Sequence, residues 1–160
     1  MSDHSPAPSA ENNWLLPHAQ LLIQSYLHLT GRHLINPSLP PVEASRSLWE
    51  APFAVVSHDT QADPIFTYGN ATALKLFDMT WEEFTQLPSR LSAEPPNQDE
   101  RARLLAEVTA RGFIDDYSGV RIAKNGRRFV IEKAIVWNLL DEQDQRCGQA
   151  ATFGTWKDLQ

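Results

Sequence analysis

The sequence predicts an α+β fold in which a five-stranded antiparallel sheet carries short helices on one face and an extra helix at the N-terminus. Two short apolar runs come first, capped helical segments follow, and three long strand-like segments come last. The 160 residues suffice for one substantial core. We therefore divide the chain into a disordered tail (1–13), an N-terminal helix with its connector (14–47) and one folded domain (48–160).

The N-terminal region predicts a helix that dimerises. Residues 1–13 combine Ser, Pro, Asn and Ala without hydrophobic periodicity, which favours disorder. From Trp14 to Gly31 apolar residues recur every three or four positions, as in an amphipathic helix. Because apolar residues occupy more than one side of this helix, we expect a homodimer through it. A short helix is predicted at 42–49.

Helix caps and a first hairpin are predicted in the middle of the chain. Residues 53–57 and 65–68 are rich in β-branched and aromatic residues and flank a polar turn, which predicts an antiparallel hairpin. Asn70 is placed to cap the helix that follows. Two capping boxes, at 80–83 and 97–100, predict the starts of two further helices.

A second hairpin is predicted at the dipeptide Asn125–Gly126, which is typical of two-residue turns with positive φ. Such a turn pairs Ile122 with Phe129 and assigns both to the inner face of the sheet. In the same register Lys133 and Asp116 are diagonal neighbours on that face. An inward lysine requires a partner or an acidic ligand group. The alternative is a bulge that turns Lys133 outward.

Three segments carry a family resemblance. The run Phe66–Ala71 resembles the aromatic-Asn junction of PAS domains, and the resemblance extends over residues 48–158. Within that superfamily, Phe66–Phe77, Leu87–Pro95 and Gly126–Phe129 resemble the MEKHLA domain, here of the type that stands alone in bacteria. The same domain occurs at the C-terminus of plant class III homeodomain leucine-zipper proteins. The resemblance implies a sensory or protein-interaction module.

Apolar residues of the predicted strands and helices would wall a cavity, joined by a few polar residues. The candidates are Phe53, Val55, Phe66, Leu74, Phe77, Phe84, Leu87, Asp116, Ile122, Phe129, Ile131, Lys133 and Gln149. Gln149 is included because a glutamine in a similar strand hydrogen-bonds the ring in flavin-binding PAS domains. An ordinary packed core has the same pattern, so both interpretations stay open.

Most cofactors of PAS proteins do not match these residues. Light-oxygen-voltage photoreceptors, which resemble this fold, use a cysteine in a helix, whereas Cys147 is the only cysteine and lies near the last strand. Covalent flavin is therefore excluded. Haem sensors usually place a histidine on the long helix, and none of the five histidines lies within 97–112, which argues against haem. The cofactor, if there is one, stays unknown, and no metal site is predicted.

Charge and hydropathy exclude several function classes. The formal charge is −6 and the basic residues are scattered, which argues against nucleic-acid binding. The apolar runs are far shorter than the roughly 20 residues of a membrane-spanning helix. The N-terminus lacks the pattern of a secretory signal, which favours a cytoplasmic location. No hydrolase or phosphate-loop motif is present, so no enzymatic activity is expected.

The leading hypothesis is a PAS/MEKHLA module that binds a small apolar or amphipathic ligand and signals in trans to a regulatory protein. Two alternatives remain open. One is an enzyme that processes small molecules on a similar curved sheet, with Lys133, Asp116 and Tyr117 as its polar groups. The other is a ligand-free dimerisation scaffold that docks through an outer sheet face formed by Tyr117, Val130 and Val136.

Overall fold

Residues 6–159 are described by a computed structural model, in which one antiparallel sheet carries helices on both faces. The helices are α1 (Leu16–Thr30), α2 (Pro41–Glu50), α3 (Ala71–Phe77), α4 (Trp81–Phe84) and α5 (Pro95–Arg111). The strands are β1 (Ala54–His58), β2 (Phe66–Gly69), β3 (Phe113–Ile122), β4 (Arg128–Leu140), β5 (Arg146–Phe153) and β6 (Thr155–Leu159). Within residues 6–159, no helix is long and apolar enough to cross a membrane.

The sheet has the strand order β2-β1-β5-β4-β3, and every neighbouring pair is antiparallel. This confirms the predicted antiparallel sheet. The predicted last strand is divided at Gly154 into β5 and β6, which gives a sixth strand. The long strand β4 pairs with β6 up to Glu132 and with β5 from Ile135 onward. The division therefore lies opposite Lys133, where β4 itself is irregular.

Two of the three helix caps predicted from local sequence are confirmed. The side-chain oxygen of Asn70 accepts a hydrogen bond from the amide of Ala73 (3.1 Å) and one from the amide of Val55 (3.1 Å). Thr80 and Glu83 form the reciprocal capping box of α4. Both caps involve residues within three positions of each other, which is why sequence predicts them well.

The start of α5 differs from the prediction. This helix begins at Pro95, two residues before the capping box predicted at 97–100. Proline is favoured in the first turn of a helix because its missing N–H would have no helical partner there. Asn97 therefore lies inside the first turn of α5.

The β3–β4 hairpin forms where it was predicted, but in a different register. Ile122 pairs with Arg128, and Arg121 pairs with Phe129. The amide of Gly126, at φ 88°, donates to the carbonyl of Ala123. The loop therefore has three residues and ends in a glycine bulge, an alternative to the two-residue turn. Because a slip of one residue reverses the faces of a strand, the inward residue is Arg121 and not Ile122.

Two bulges expose the charged pair predicted to face the core. Asp116 and Lys133 have φ values of 57° and 53°, and the pairing of β3 with β4 shifts between Ile114 and Gly119. Both side chains are exposed. The predicted inward pair is therefore wrong, and the alternative of an outward-facing bulge at Lys133 is correct. An exposed bulge avoids the desolvation of two charges.

Helices cover both faces of the sheet. We call the face toward α3, α4 and α5 the inner face, and the face toward α1 and α2 the outer face. The inner-face cluster includes Val56, Phe66, Phe77, Phe84, Phe129, Ile131 and Phe153. The outer-face cluster includes Ala19, Leu22, Tyr26, Leu48, Val55, Tyr68, Trp137 and Leu139. The division drawn at 47/48 thus crosses a single hydrophobic cluster, since α1 and α2 share their core with the sheet.

The apolar sides of α1 pack within the chain. Tyr26 makes an edge contact with Trp137 of β4, with ring centroids 4.9 Å apart. Ala19 and Leu22 are fully buried. The apolar residues that suggested a homodimer therefore cover the outer face. The homodimer stays a prediction, and it would have to use the opposite side of α1, where Leu27 is 39% exposed.

Residues 6–13, the described part of the predicted tail, are ordered. The side chain of Asn12 accepts a hydrogen bond from the amide of Ser9 (2.9 Å) and donates to the carbonyl of Ala7 (3.0 Å). Ala7 also packs against the outer-face cluster. Disorder predicted from composition does not hold here, because one asparagine supplies the local hydrogen bonds. Residues 1–5, the rest of that tail, lie outside the described residues.

Candidate functional site

A cavity of about 50 Å³ lies between the inner face and α5. Its walls are mainly apolar and come from strands β1 to β5 and from helices α3 and α5. They include Val56, Phe66, Phe77, Leu104, Leu105, Ile131, Val136, Ala151 and Phe153. Polar residues at the cavity include His58, Ser92, Arg101, Tyr117, Arg121 and Gln149. An apolar pocket with a few convergent polar groups is the usual form of a small-molecule site.

Arg101 is the least compensated charge at this cavity. It lies on the buried side of α5 and is 8% exposed. Its guanidinium makes no hydrogen bond or ion pair with any residue in the described range 6–159. Burial, and then the nearby charge of Arg121, lower the pKa of Arg101 to about 10, so it still carries a full charge at pH 7. A buried, unpaired cation is costly, which makes an anion its natural complement.

Arg121 is held in place by a tyrosine that the strand bulge brings near it. Its Nη2 donates to the hydroxyl of Tyr117 (3.2 Å), and its Nη1 donates to the carbonyl of Val120 (2.9 Å). The Tyr117 hydroxyl donates in turn to Oε2 of Glu100 (2.9 Å). Gly119 leaves room for this contact, because a Cβ there would lie 2.3 Å from the tyrosine oxygen. Arg121 is therefore a positioned cation.

His58 supplies an unpaired acceptor. Its Nδ1 lies 2.9 Å from the carbonyl of Asp59, which can only accept, so Nδ1 carries the proton. Nε2 is buried and has no hydrogen-bond partner among residues 6–159. Burial, aided by the charge of Arg101, lowers the pKa of His58 to about 4. The imidazole is therefore neutral at pH 7, and the lone pair of Nε2 is unused.

Gln149 has a structural role in place of the predicted ligand contact. Its side-chain amide donates to the carbonyl of Leu105 (3.1 Å), to Oγ1 of Thr109 (2.9 Å) and to Oδ1 of Asn138 (3.0 Å). Asn138 donates onward to the carbonyl of Val108 (3.1 Å). This network fastens α5 to the inner face. It leaves the amide N–H groups of Gln149 engaged with protein.

The structure brings only part of the predicted site together. The predicted residues that line the cavity are Phe66, Phe77, Ile131 and Gln149. Those that pack beside it in the inner-face cluster are Leu74, Phe84, Leu87 and Phe129. Phe53 and Val55 belong to the outer-face cluster, because β1 presents alternate residues to opposite faces. The register and the bulges direct Ile122, Asp116 and Lys133 away from the cavity.

Sequence reasoning missed Arg101, Arg121 and His58. A signal for Arg101 existed, because Arg101, Leu104 and Val108 share one face of α5 at spacings of three and four. A charged residue on the apolar stripe of a helix points toward the core and so indicates a candidate site residue. Arg121 was missed through the one-residue error in register. For His58 the sequence shows only an adjacent Asp59, a pair that could suggest a metal ligand, and the described residues hold no cluster of three or more such ligands.

Solved structures share this fold. A PAS domain of a protein from Colwellia psychrerythraea has a TM-score of 0.61 at 17% identity, over 73% of this chain and 94% of that one. A light-oxygen-voltage domain studied with a flavin analogue has a TM-score of 0.58 at 15% identity, over 74% of this chain and 85% of that one. These likenesses confirm the PAS-type fold.

Curated relatives are plant proteins much longer than this chain. Homeobox-leucine zipper protein ATHB-8 of Arabidopsis thaliana is 26% identical over 152 residues, which is 92% of this chain and 18% of the relative. Homeobox-leucine zipper protein HOX32 of Oryza sativa subsp. indica is 21% identical over 139 residues, or 86% of this chain and 16% of the relative. The chain thus spans less than a fifth of these relatives.

The region shared with a known domain includes both layers around the sheet. The family model of the MEKHLA domain matches residues 16–158, from the first residue of α1 to the penultimate residue of β6. The match therefore includes the helices on the outer face as well as the strands and α5 that enclose the cavity. On this evidence, the chain belongs to the MEKHLA domain family.

Proposed function

We propose that this domain is a cytoplasmic, non-enzymatic sensory module that binds a small molecule in its inner cavity and signals to a protein partner in trans. The observation that carries the proposal is the apolar cavity, whose lining residues include the largely buried cation of Arg101 and His58, whose Nε2 lacks a hydrogen-bond partner among the described residues. Buried polar groups in folded proteins are nearly always satisfied, and each exception calls for an explanation. A bound ligand is that explanation here.

Strand β1 offers a route from the cavity to the outer face. His58 lines the cavity, while the hydroxyl of its neighbour Ser57 lies 2.9 Å from Nε2 of His18 on α1. A second contact joins α1 to β4, where the amide of Leu140 donates to the hydroxyl of Ser25 (3.0 Å). A ligand that contacts His58 and Arg101 would bias the position of β1 relative to α5. We propose that α1 reports this change to the partner.

The flavin of the light-oxygen-voltage neighbour is too large for this cavity. The volume of about 50 Å³ is a fraction of the roughly 150 Å³ that accommodates one benzene ring. A tricyclic flavin ring is far larger. The amide of Gln149, the expected ring contact, is already bonded to α5 and Asn138. We therefore propose a smaller ligand.

The enzyme alternative lacks a convergent site. Lys133 and Asp116 are exposed at their bulges, and Tyr117 is bonded to Arg121 and Glu100. The scaffold alternative loses two of its three docking residues, since Tyr117 lines the cavity and Val136 is buried against α5. The positions of these residues therefore support neither the enzyme nor the scaffold alternative as well as they support ligand sensing.

A cavity-filling variant tests the proposal. Ala151 lines the cavity, so Ala151→Leu should fill it and abolish binding of small molecules, at a modest cost in stability. Ala102→Leu, on the exposed side of α5, adds the same bulk elsewhere and should leave binding unchanged. Native mass spectrometry of the purified chains should find a bound small molecule in the wild type and in Ala102→Leu only. Equal occupancy in all three chains, or none, would contradict the proposal.

A further inference from the structure

We propose that the inner cavity binds a very small monocarboxylate, formate or acetate, on the guanidinium of Arg101. The inference rests on the proposed function, because it assigns a chemical class to the ligand of the same cavity. Three features of the cavity carry it. They are an unpaired cation that a ligand can reach, the engagement of every neutral donor side chain, and the small apolar space around the cation.

Arg101 is the cation that a ligand can reach. It lines the cavity, is 8% exposed, and forms no hydrogen bond or ion pair with any residue from 6 to 159. In the same range, the unpartnered side-chain atoms that protein encloses fully are Nε2 of His58, the hydroxyl oxygens of Tyr68 and Ser89, and the indole nitrogen of Trp137. The nitrogens of Arg101 are not among these atoms, so a molecule the size of water can reach them.

A second buried arginine adds to the positive charge at the cavity. Arg121 also lines the cavity and is 7% exposed. It donates to the hydroxyl of Tyr117 and to the carbonyl of Val120, which are both neutral. The carboxylate of Glu100 contacts the Tyr117 hydroxyl, and forms no ion pair with either arginine. Two buried cations without a counter-ion from the described residues favour an anionic ligand.

The neutral polar side chains at the cavity have their donors engaged with protein. The Ser92 hydroxyl donates to the carbonyl of Ser89 (2.7 Å). Nδ1 of His58 donates to the carbonyl of Asp59, and the amide of Gln149 donates to three protein acceptors. The other two such side chains, which are also hydrogen-bonded, are Ser57 and Tyr117. Only guanidinium groups are left to hold a ligand, which favours a single carboxylate that takes two parallel N–H bonds.

The size and walls of the cavity limit the rest of the ligand. A water-sized group needs roughly 10–15 Å³, so a volume of about 50 Å³ holds about three or four such groups. Formate has three non-hydrogen atoms and acetate has four, whereas phosphate has five. The apolar wall includes Leu104, Ile131, Val136 and Phe153, which suits the C–H of formate or the methyl group of acetate. Nitrate is as small as acetate, but its third oxygen would face this wall without a partner.

Titration of the full chain with matched probes, followed by the NMR chemical shifts of its amide groups at constant ionic strength, tests the chemical class. Formate and acetate should bind saturably. Acetamide has the size of acetate without its charge, and butyrate has the same charge on a longer chain. Each of these two should bind at least tenfold more weakly than acetate. Nitrate and chloride should also bind more weakly than acetate.

A matched pair of variants assigns the carboxylate to Arg101. Arg101→Met removes the guanidinium and should weaken acetate binding at least tenfold. Arg103→Met, on the exposed side of α5, removes the same charge away from the cavity and should bind acetate as the wild type does. Far-ultraviolet circular dichroism verifies folding. If Arg101→Met fails to fold, the comparison of acetate with acetamide and butyrate on the wild type decides alone.

The outcomes separate the two proposals. Acetamide or butyrate binding as tightly as acetate, or nitrate or chloride binding more tightly, would overturn the monocarboxylate while the sensory cavity stands. Unchanged acetate binding in a folded Arg101→Met chain would overturn it too, since the carboxylate would then lie elsewhere. The same holds if native mass spectrometry finds another small molecule in the wild type that acetate does not displace. If no probe binds and no small molecule is found in the purified chain, both proposals fail.

Discussion

One histidine packs on each face of the sheet, and the two differ in their hydrogen bonding. On the outer face, His18 stacks on Tyr68 and its Nε2 lies 2.9 Å from the hydroxyl of Ser57. On the inner face, His58 leaves Nε2 without a partner within the described segment, beside a cavity and an unpaired guanidinium. On the outer face the Tyr68 hydroxyl and the Trp137 indole nitrogen also lack a hydrogen-bond partner among the described residues. Both groups are neutral, and both side chains are fully buried.

This difference separates a densely packed face from a face that holds a cavity. On the outer face, aromatic and aliphatic side chains of the sheet pack against α1 and α2, and the two unpartnered polar groups there are neutral. The inner face combines a void, a buried charge and an unused acceptor, and these features together weaken the fold unless a ligand completes them. Truncation of a large buried side chain on the outer face should therefore destabilise the protein most. Removal of the charge of Arg101 on the inner face should instead stabilise it.

The largest expected effect is on the outer face. Trp137 is fully buried against Tyr26, so Trp137→Ala should lower the free energy of unfolding by about 4 kcal/mol. Leu27→Ala, on the exposed side of α1, should cost less than about 1 kcal/mol. Urea denaturation followed by circular dichroism measures both. A cost below about 1 kcal/mol for Trp137→Ala would show that α1 does not dock as described.

Acid should destabilise the fold through both histidines. Burial lowers the pKa of His18 and of His58 from the ordinary 6.5 to about 4. Between these values the unfolded chain binds more protons, so stability falls as the pH drops from about 6.5 to about 4, by up to about 3 kcal/mol per histidine. His18→Gln and His58→Gln should each flatten this slope in urea titrations. Slopes identical to the wild type would contradict the assigned burial.

Replacing the unpaired inner cation should stabilise the domain. Arg101→Met keeps an apolar stem of similar length and removes the buried charge, so unfolding should require about 1 to 3 kcal/mol more. The matched change Arg103→Met, two residues away on the exposed side of α5, should alter the free energy of unfolding by less than about 0.5 kcal/mol. Thermal and urea unfolding without added ligand measure the difference. Destabilisation by Arg101→Met would mean that Arg101 has a structural partner.

The smallest effect concerns the turn that assigns residues to the two faces. In the observed loop Gly126 has positive φ whereas Asn125 does not. Gly126→Ala should therefore cost about 1 kcal/mol, and Asn125→Ala should cost only a few tenths through its exposed bond to the amide of Arg127. A two-residue turn would require positive φ at both positions and penalise both changes alike. Equal losses of stability in the two variants would instead support the two-residue turn and the register predicted from the sequence.

Much of the fold could be predicted because its signals are local. The cap at Asn70 and the box at Thr80 depend on neighbours within three residues, and the strand patterns repeat every second residue. The antiparallel sheet, the hairpin position and the resemblance to the MEKHLA domain followed from such short segments. The break at Gly154 was not predicted, because it depends on the partner strand β4.

What the sequence by itself determined were the elements, their order and the family. Only the tertiary structure decided which residues meet at the cavity. One backbone hydrogen bond in the β3–β4 turn selects Arg121 over Ile122, and two bulges expose Asp116 and Lys133. Arg101 and His58, 43 positions apart, meet only because α5 packs on the inner face. Such contacts arise from long-range packing and register, which short-range sequence patterns do not encode.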